Sequence, residues 1–473
     1  MSKKLHVHFM GIGGSGLAPI AIISKRLGFV VTGCDISTDG YYSGELIKNN
    51  IEIQSGHSVE HLKNTDILAV SPAVFDLNPD HPEIIEAKRR NILMTWQEFA
   101  GKYLHDNKVV IAVSGTHGKS TTTVLMGVAL ENGGYDPYVE AGTVYKPWGG
   151  GYRIGDSDYF VCEADEFNNN FLNFSPSIAI INNIEMDHPE FFNNFAQVKE
   201  AFRGFIQKLK SPKILVVNEE SQGIREVLHE LQKYIITNNI KTIGYYIKDK
   251  HSFPYSYEYK GDILSAGSVN TVFAVKCADW DDNFEIGVTG IHNVANSLGV
   301  LAASLALGMD KEKLKTAFKN FKGIGRRSEF IAEVRGVKFF DDYAHHPTAI
   351  SAMLDSFRLS YPDRTIWAIW EPHQISRIKL FLNEFTTALD KFDRVIITKT
   401  FVGREKFKNI ESFDMNLIVE RIGSQKATYI EDFDSVAEYT DSNSKQGDII
   451  IIFGAGESYK LTQKIITHMS KEA

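Results

Sequence analysis

The segment "VVIAVSGTHGKSTTTVLMGVAL" sets Gly115, Thr116, His117, Gly118, Lys119, Ser120 and Thr121 between an apolar run and a helical pattern. Glycines there expose backbone N–H groups, a helix N-terminus adds partial positive charge, and a lysine at that point reaches terminal phosphates. Ser120 follows where a hydroxyl can coordinate Mg²⁺. The full G-x-x-x-x-G-K-[ST] pattern is not met, because Val113 stands at the first glycine position. The bland alternative is a tight strand-to-helix turn. The flanking strand and helix favour phosphate, with ATP as the ligand.

Two further segments end apolar runs in acidic clusters. "YFVCEADEF" delivers Glu163, Asp165 and Glu166, and "AIINNIEMDHPEFF" delivers Glu185, Asp187 and His188. In a parallel sheet such ends gather along one edge, here beside the phosphate loop. Carboxylates and an imidazole next to nucleotide phosphates suit divalent cations, which neutralise developing charge. Acids at strand ends can also be solvated or cap a helix, so either cluster alone decides nothing.

A second glycine turn opens the chain. "HFMGIGGSGLAP" meets G-x-G-x-x-G at Gly11, Gly13 and Gly16, with Gly14 and Ser15 between them and Asp35 downstream. The pattern specifies a diphosphate at a helix start, not which nucleotide carries it. Ser71, closing "DILAVS", is a further candidate at the same edge. A nicotinamide-dependent dehydrogenase is the alternative from another class, but it leaves the second loop and both acidic clusters without a task.

These residues need parallel sheets to position them. Short apolar runs alternate with amphipathic stretches: "LHVHFM", "FVVTGCD", "IEIQSG" and "DILAVSPAV" early, "YFVCEAD", "SIAIINNI" and "KILVVN" in the middle, "VKFFDDY", "TIWAIWEP", "RVIITKTF" and "DIIIIFGAG" late. That alternation is α/β. Residues 241–285, rich in aromatics, Thr and Val, are expected to be antiparallel. The polar segment His105-Asp106-Asn107-Lys108 and the glycine-bearing "FKGIGRRSEF" read as domain junctions. At 473 residues, 43% hydrophobic and 23% charged, the chain has material for about three globular domains. A net charge of −8 argues against a nucleic-acid surface. No apolar run has membrane-span length. Cys34, Cys162 and Cys277 are far apart and form no C-x-x-C pair, which suits a reducing, cytoplasmic setting.

"SGTHGKSTTT", "EADE", "NNIEMDH", "GIHNVANS", "GRRSEF" and "DDYAHHPTAI" stand in the order and spacing of the Mur ligases, and over its whole length the chain resembles that family. The resemblance implies a Rossmann-like domain for a UDP-sugar over residues 1–107. A central P-loop ATPase-like domain with a mixed sheet follows over 108–322, and a Rossmann-like domain for the incoming amino acid over 323–473. It implies ATP-dependent amide-bond formation on peptidoglycan precursors through an acyl phosphate, with Mg²⁺ or Mn²⁺. The N-terminal glycine turn and "EPHQISR" are most similar to the branch adding L-alanine to UDP-N-acetylmuramic acid. A recycling branch adding a tripeptide is the alternative.

Carried over residue by residue, Lys119 contacts terminal phosphates, Ser120 and Glu163 share one cation, and His188 helps hold a second. His292, Asn293 and Asn296 resemble adenine contacts, Arg327 would reach the phosphates, and Asp342 the ribose. Tyr343, His345 and Arg377 resemble the surroundings of the amino acid, with Arg377 facing its carboxylate. Gly13, Gly14, Ser15, Gly16, Asp35 and Ser71 fall to the UDP-sugar. The protein would act as a monomer or homodimer without nucleic acid or membrane. Two departures leave the added group open: Phe167-Asn168-Asn169-Asn170 after "EADE", and Gln374-Ile375 where the alanine-adding branch carries arginine and an aromatic. Phe202-Arg203 stand where other branches carry a modified lysine.

Overall fold

A computed structural model describes residues 4–38, 42–248, 251, 253–267, 269–403, 405 and 412–471. Three sheets, each flanked by helices, make up a mixed α/β protein. The first is all parallel and runs, in spatial order, Ile53–Ser55, Val30–Asp35, His6–Met10, Ile67–Val70 and Leu93–Thr95. Strand order reverses beside His6–Met10, so the ends of that strand and of Ile67–Val70 open a crevice. The glycine turn and Ser71 follow those two ends. Helix Leu17–Arg26 then leaves the turn, and Gly28, at φ +97°, ends it in the left-handed region.

The second sheet has ten strands. Its middle is parallel: Lys241–Tyr246, Ile214–Asn218, Ile178–Ile181, Val109–Ser114, Tyr159–Glu163 and Tyr138–Tyr145. Val109–Ser114 lies between the two strands that carry the acidic clusters, with Ile111 opposite Ile178 and Val113 opposite Glu163. The phosphate loop and both clusters therefore leave the sheet at one edge. Ile178–Ile181 is buried at every position, as expected for a strand covered on both faces. Helix Lys119–Gly133 and helix Ile291–Ala306 pack on one side, through Val124, Leu125, Val294 and Leu298.

The third sheet orders Glu329–Val334, Val337–Asp342, Ile449–Phe453, Ile366–Trp370, Arg394–Ile397 and Ala427–Tyr429; only the first pair is antiparallel. Apolar clusters cover both faces, with Trp370 and Ile451 on one and Trp367 and Ile450 on the other. Among the described residues no helix is long and apolar enough to cross a membrane.

Three expectations are corrected. "DILAVSPAV" is strand only through Val70, because Pro72 starts helix Pro72–Leu77. Residues 241–285 are not wholly antiparallel: Lys241–Tyr246 pairs parallel with both neighbours, and the meander is Tyr257–Ala266, Thr271–Lys276 and Asp281–Ile286. His105, read as part of a polar junction, is 3% exposed and sits between the rings of Phe160 and Phe174, each 4.7 Å away. Phe202 is likewise core, and Arg203 pairs with Glu200 and Glu230.

Candidate active site

One cavity of about 700 Å³ is walled by all three sheet-bearing parts of the chain. Gly14, Ser15, Gly16 and Ser71 reach it from the first, and Thr116 through Ser120, Glu163 and His188 from the second. Arg327, Tyr343, His345 and Arg377 reach it from the third. These side chains are up to several hundred residues apart in sequence; most meet because they leave the C-terminal ends of parallel strands, whereas Arg327 precedes Glu329–Val334, the antiparallel strand that starts at the same edge of its sheet.

The phosphate loop turns on Gly118, at φ +80°, which caps helix Lys119–Gly133 with no side-chain hydrogen bond. A Cβ at Gly118 would lie 2.7 Å from Asn296 Oδ1 and 2.9 Å from Asn182 Nδ2, so only glycine fits. Lys119 Nζ donates to Gly115 O at 2.8 Å and Glu166 Oε2 at 2.9 Å, with Asp165 Oδ1 at 3.3 Å. Burial opposes its charge, but Glu166, Asp165 and Glu163 outweigh that and raise it above the ordinary lysine range.

Glu163 Oε1 accepts from Gly142 N at 2.6 Å, and the Ser120 side chain also hydrogen-bonds to this carboxylate. Burial pushes the Glu163 carboxyl up despite Lys119 and Arg327. Beside it Glu140, 2% exposed, is raised further by burial and by Glu163. Glu140 Oε2 and Glu190 Oε2 are buried without hydrogen-bond partners, and both residues line the wall. Glu140 and Glu163, buried beside each other, form a natural cation seat.

The second acidic segment is organised around His188, whose φ of +52° is a strained value for a non-glycine residue. Its Nδ1 lies 3.3 Å from Glu190 Oε1, and Asp165, Glu166 and His188 offer ligand atoms within 4.8 Å of one another. Burial works against protonation of His188, but Asp187, Glu190, Asp165 and Glu166 raise it to about 9. Asp187 Oδ1 accepts from Arg377 Nη2 at 2.7 Å and from Nε at 3.1 Å. Burial disfavours the Asp187 charge, yet His188 and Arg377 hold its carboxyl well below the usual range. Arg377 thus reaches the wall already engaged, with Nη1 3.0 Å from His373 Nδ1. It is not a free partner for a second carboxylate in this arrangement.

From the third sheet, Arg326 and Ser328 both adopt positive φ, +57° and +49°, and so present Arg327 to the cavity beside the Tyr343 ring. His345 Nδ1 lies 2.9 Å from Tyr343 O. Burial, with Arg377 and His373 nearby, pushes His345 well below 6.5, so it stands neutral. Gln374, at φ +64°, is also on the wall.

Eight predicted residues stand off the wall. Gly13 N donates to Asp35 Oδ2 at 2.9 Å, so both brace the turn from behind. Gly115, Thr121 and Asn296 lie behind the phosphate loop, with Gly115 against Asn183 and Thr121 in the helix. Asn293 Nδ2 donates to Thr289 O, and His292 Nδ1 lies 3.2 Å from Ser356 Oγ. Asp342 accepts from Ser328 N and Ala344 N, both at 2.7 Å, and so shapes the loop that carries Arg327.

Sequence reasoning missed Tyr42, Trp96, Gln97, Glu140 and Glu190 on the wall. Trp96 and Gln97 follow strand Leu93–Thr95, so strand-end position was the available signal. Glu140 sits inside a strand and carried none.

Three family models match consecutive stretches of the chain: "Mur ligase family, catalytic domain" over residues 6–106, "Mur ligase middle domain" over 113–304, and "Mur ligase, glutamate ligase domain" over 326–456. The chain is 35% identical to the UDP-N-acetylmuramate–L-alanine ligase of Caldanaerobacter subterraneus, across 100% of this chain and 99% of that one. It is 34% identical to the enzyme of that name from Caldicellulosiruptor bescii, across 97% of each. The fold is shared with a UDP-N-acetylmuramate–alanine ligase from Thermotoga maritima, at TM-score 0.79, 24% identity and coverage of 99% and 100%. A murein peptide ligase from Psychrobacter arcticus follows at TM-score 0.70, 23% identity and 98% of each chain. With three family models matched in succession, 34–35% identity to two relatives over nearly its full length, and its glycine turn, phosphate loop and acidic clusters in one cavity, the chain belongs to the Mur ligase family.

Proposed function

We propose that the protein is an ATP-dependent ligase that joins L-alanine to the lactyl carboxylate of UDP-N-acetylmuramic acid, in peptidoglycan precursor synthesis. The observation that carries this is the single cavity onto which Gly14–Gly16, Lys119 with Ser120 and Glu163, and Arg327 with Tyr343 and His345 all open. The names of the 34–35% identical relatives support the same choice of substrates. The three matched stretches support a division near 107/108 and 322/323.

A carboxylate is a poor electrophile at neutral pH, and an acyl phosphate supplies the leaving group an amine needs. The difficulty is electrostatic, because a carboxylate must approach a phosphoryl group of like charge. Lys119, at the loop, and Arg327, across the cavity, supply fixed positive charge at that approach. Backbone N–H groups at the start of helix Lys119–Gly133 add to it.

The residues fit Mg²⁺ or Mn²⁺: the Ser120 hydroxyl meets a Glu163 carboxylate whose burial a cation would relieve. Such an ion offsets the repulsion between the two anions. His188 with Asp165 and Glu166 suits a second cation. The adenosine roles of His292, Asn293, Asn296 and Asp342 rest on the family resemblance. Gly14, Ser15, Gly16 and Ser71 form the seat for the UDP moiety, with Gly13 and Asp35 bracing the turn behind it, and the neutral His345 with Tyr343 borders the amine.

Release of ADP and phosphate should require ATP, Mg²⁺, UDP-N-acetylmuramic acid and L-alanine together. ADP release at the full rate without the UDP-sugar would contradict the shared-cavity reading.

A further inference from the structure

The first sheet's part of the chain also holds a second cluster, off the cavity wall, that the ligase reaction does not use. We propose that His8, Cys34, His61 and Glu83 form a closed, tetrahedral site for one zinc-class transition-metal ion. Their ligand atoms all lie within 4.8 Å of one another, and none of the four lines the cavity. The His8 and Glu83 side chains are 1% and 0% exposed, Cys34 is fully buried, and His61 is 12% exposed at the rim.

The distances from Glu83 Oε1 to the two imidazoles fit coordination and not hydrogen bonding. His8 Nε2 is 3.6 Å and His61 Nδ1 3.4 Å from Glu83 Oε1, both longer than a normal hydrogen bond. All three atoms are buried without a hydrogen-bond partner and face one another. A zinc tetrahedron with bonds of about 2.0–2.3 Å has edges of roughly 3.3–3.7 Å. The two nitrogen–oxygen separations match such edges, and Cys34 Sγ stands among the same donors, within 4.8 Å of them and 3.9 Å from the second Glu83 oxygen, Oε2.

Surrounding contacts already aim the donors. His8 Nδ1 is 2.8 Å from Thr32 Oγ1, which leaves Nε2 to point inward. Ser58 N donates to Glu83 Oε2 at 2.9 Å, and His57 Nδ1 is 3.0 Å from Cys34 Sγ. Such outer partners orient metal ligands. Two imidazoles, a thiolate and one carboxylate select zinc or cobalt over the hard, oxygen-seeking Mg²⁺ and Ca²⁺. On binding, the Cys34 thiol releases its proton to solvent and its sulfur donates an electron pair; no other bond changes.

Four protein donors leave no open position, so the ion is structural. Its place also gives it leverage, because Cys34 O accepts from Gly11 N at 2.8 Å and Ile12 N at 3.1 Å. The ion would therefore pin the strand end that holds the glycine turn. The site stands apart from which group the ligase adds.

The test is titration of metal-free full-length protein with Co²⁺. The site predicts one equivalent with tetrahedral d–d absorption and a thiolate-to-cobalt charge-transfer band. Cys34→Ser should abolish that band, and Glu83→Gln should weaken binding by at least about tenfold. No charge-transfer band in the wild type, or an unchanged band in Cys34→Ser, overturns the proposal. Should Cys34→Ser not fold, His61→Ala at the rim serves instead. One equivalent of Zn²⁺ should raise the melting temperature of the wild type and not of His61→Ala, and equal shifts in both would overturn it.

Discussion

Arg377 and Asp187 form a buried ion pair across 190 residues of sequence, with Nη2 at 2.7 Å and Nε at 3.1 Å from the same Oδ1. Their side chains are 1% and 5% exposed. The pair ties the third sheet's residues to the acidic edge of the second, where Thr348 Oγ1 also donates to Glu185 Oε2 at 2.9 Å. Breaking such a pair from one side costs about 3–5 kcal/mol, because the remaining charge stays buried. Because Arg377 also lines the cavity, Arg377→Ala is expected to lower stability and to lower kcat/KM by about a hundredfold. Small-angle scattering should show a more extended particle, while an unchanged profile with full activity would show that the pair does not hold the third sheet's residues against the second.

Lys119→Ala is expected to cut turnover by roughly a thousandfold or more, since it removes fixed charge where phosphates meet. The fold should survive. Glu166, left behind, is already raised by burial and takes up a proton instead of remaining an uncompensated charge. Steady-state ADP release alongside a thermal melt separates the two effects.

Gly118→Ala should lose both stability and turnover. Its φ of +80° and the 2.7 Å approach to Asn296 Oδ1 leave no room for a Cβ, at a cost of about 1–3 kcal/mol. Gly134 offers the control: its φ is +83°, yet nothing lies within 4 Å of a Cβ there. Gly134→Ala should cost only about 1 kcal/mol and leave turnover intact. Denaturant unfolding and ADP release on both variants check the contrast.

His105 gives a pH dependence. Burial, with Lys210 adding, pushes it from 6.5 down to about 3, so the folded state keeps it neutral where the unfolded chain protonates it. The unfolded state then binds more protons between those two values, so its share of stability is full above pH 6.5 and falls as pH drops towards 3. The slope is about 1.4 kcal/mol per pH unit for the single group. His105→Phe should flatten that part of the acid limb in unfolding measured from pH 7 to 4.

Much of this was legible from local pattern. Strand-loop-helix order around Lys119, the acids after Tyr159–Glu163 and Ile178–Ile181, and the glycine turn after His6–Met10 are each written in a few adjacent residues. Position at a parallel strand's end then places them together. Relations across the chain were not legible. Arg377 looked like an open partner for a substrate carboxylate, and only the fold shows Asp187 beside it. Nor does the sequence show that two backbone N–H groups engage the Asp342 carboxylate. Glu140 sits mid-strand, where period-two alternation gives no reason to expect a carboxylate facing Glu163. His105 reads as polar in sequence because two phenylalanines from distant segments supply its surroundings.

The cavity is expected to couple ATP cleavage to addition of L-alanine, despite Gln374 and Ile375 where the alanine-adding branch carries arginine and an aromatic. The direct measurement is an amine panel with saturating ATP, Mg²⁺ and UDP-N-acetylmuramic acid, following ADP release and the mass of the UDP product. Turnover is expected with L-alanine, with a product heavier by one alanyl residue. Turnover with the tripeptide L-Ala-γ-D-Glu-meso-diaminopimelate and none with L-alanine would contradict it.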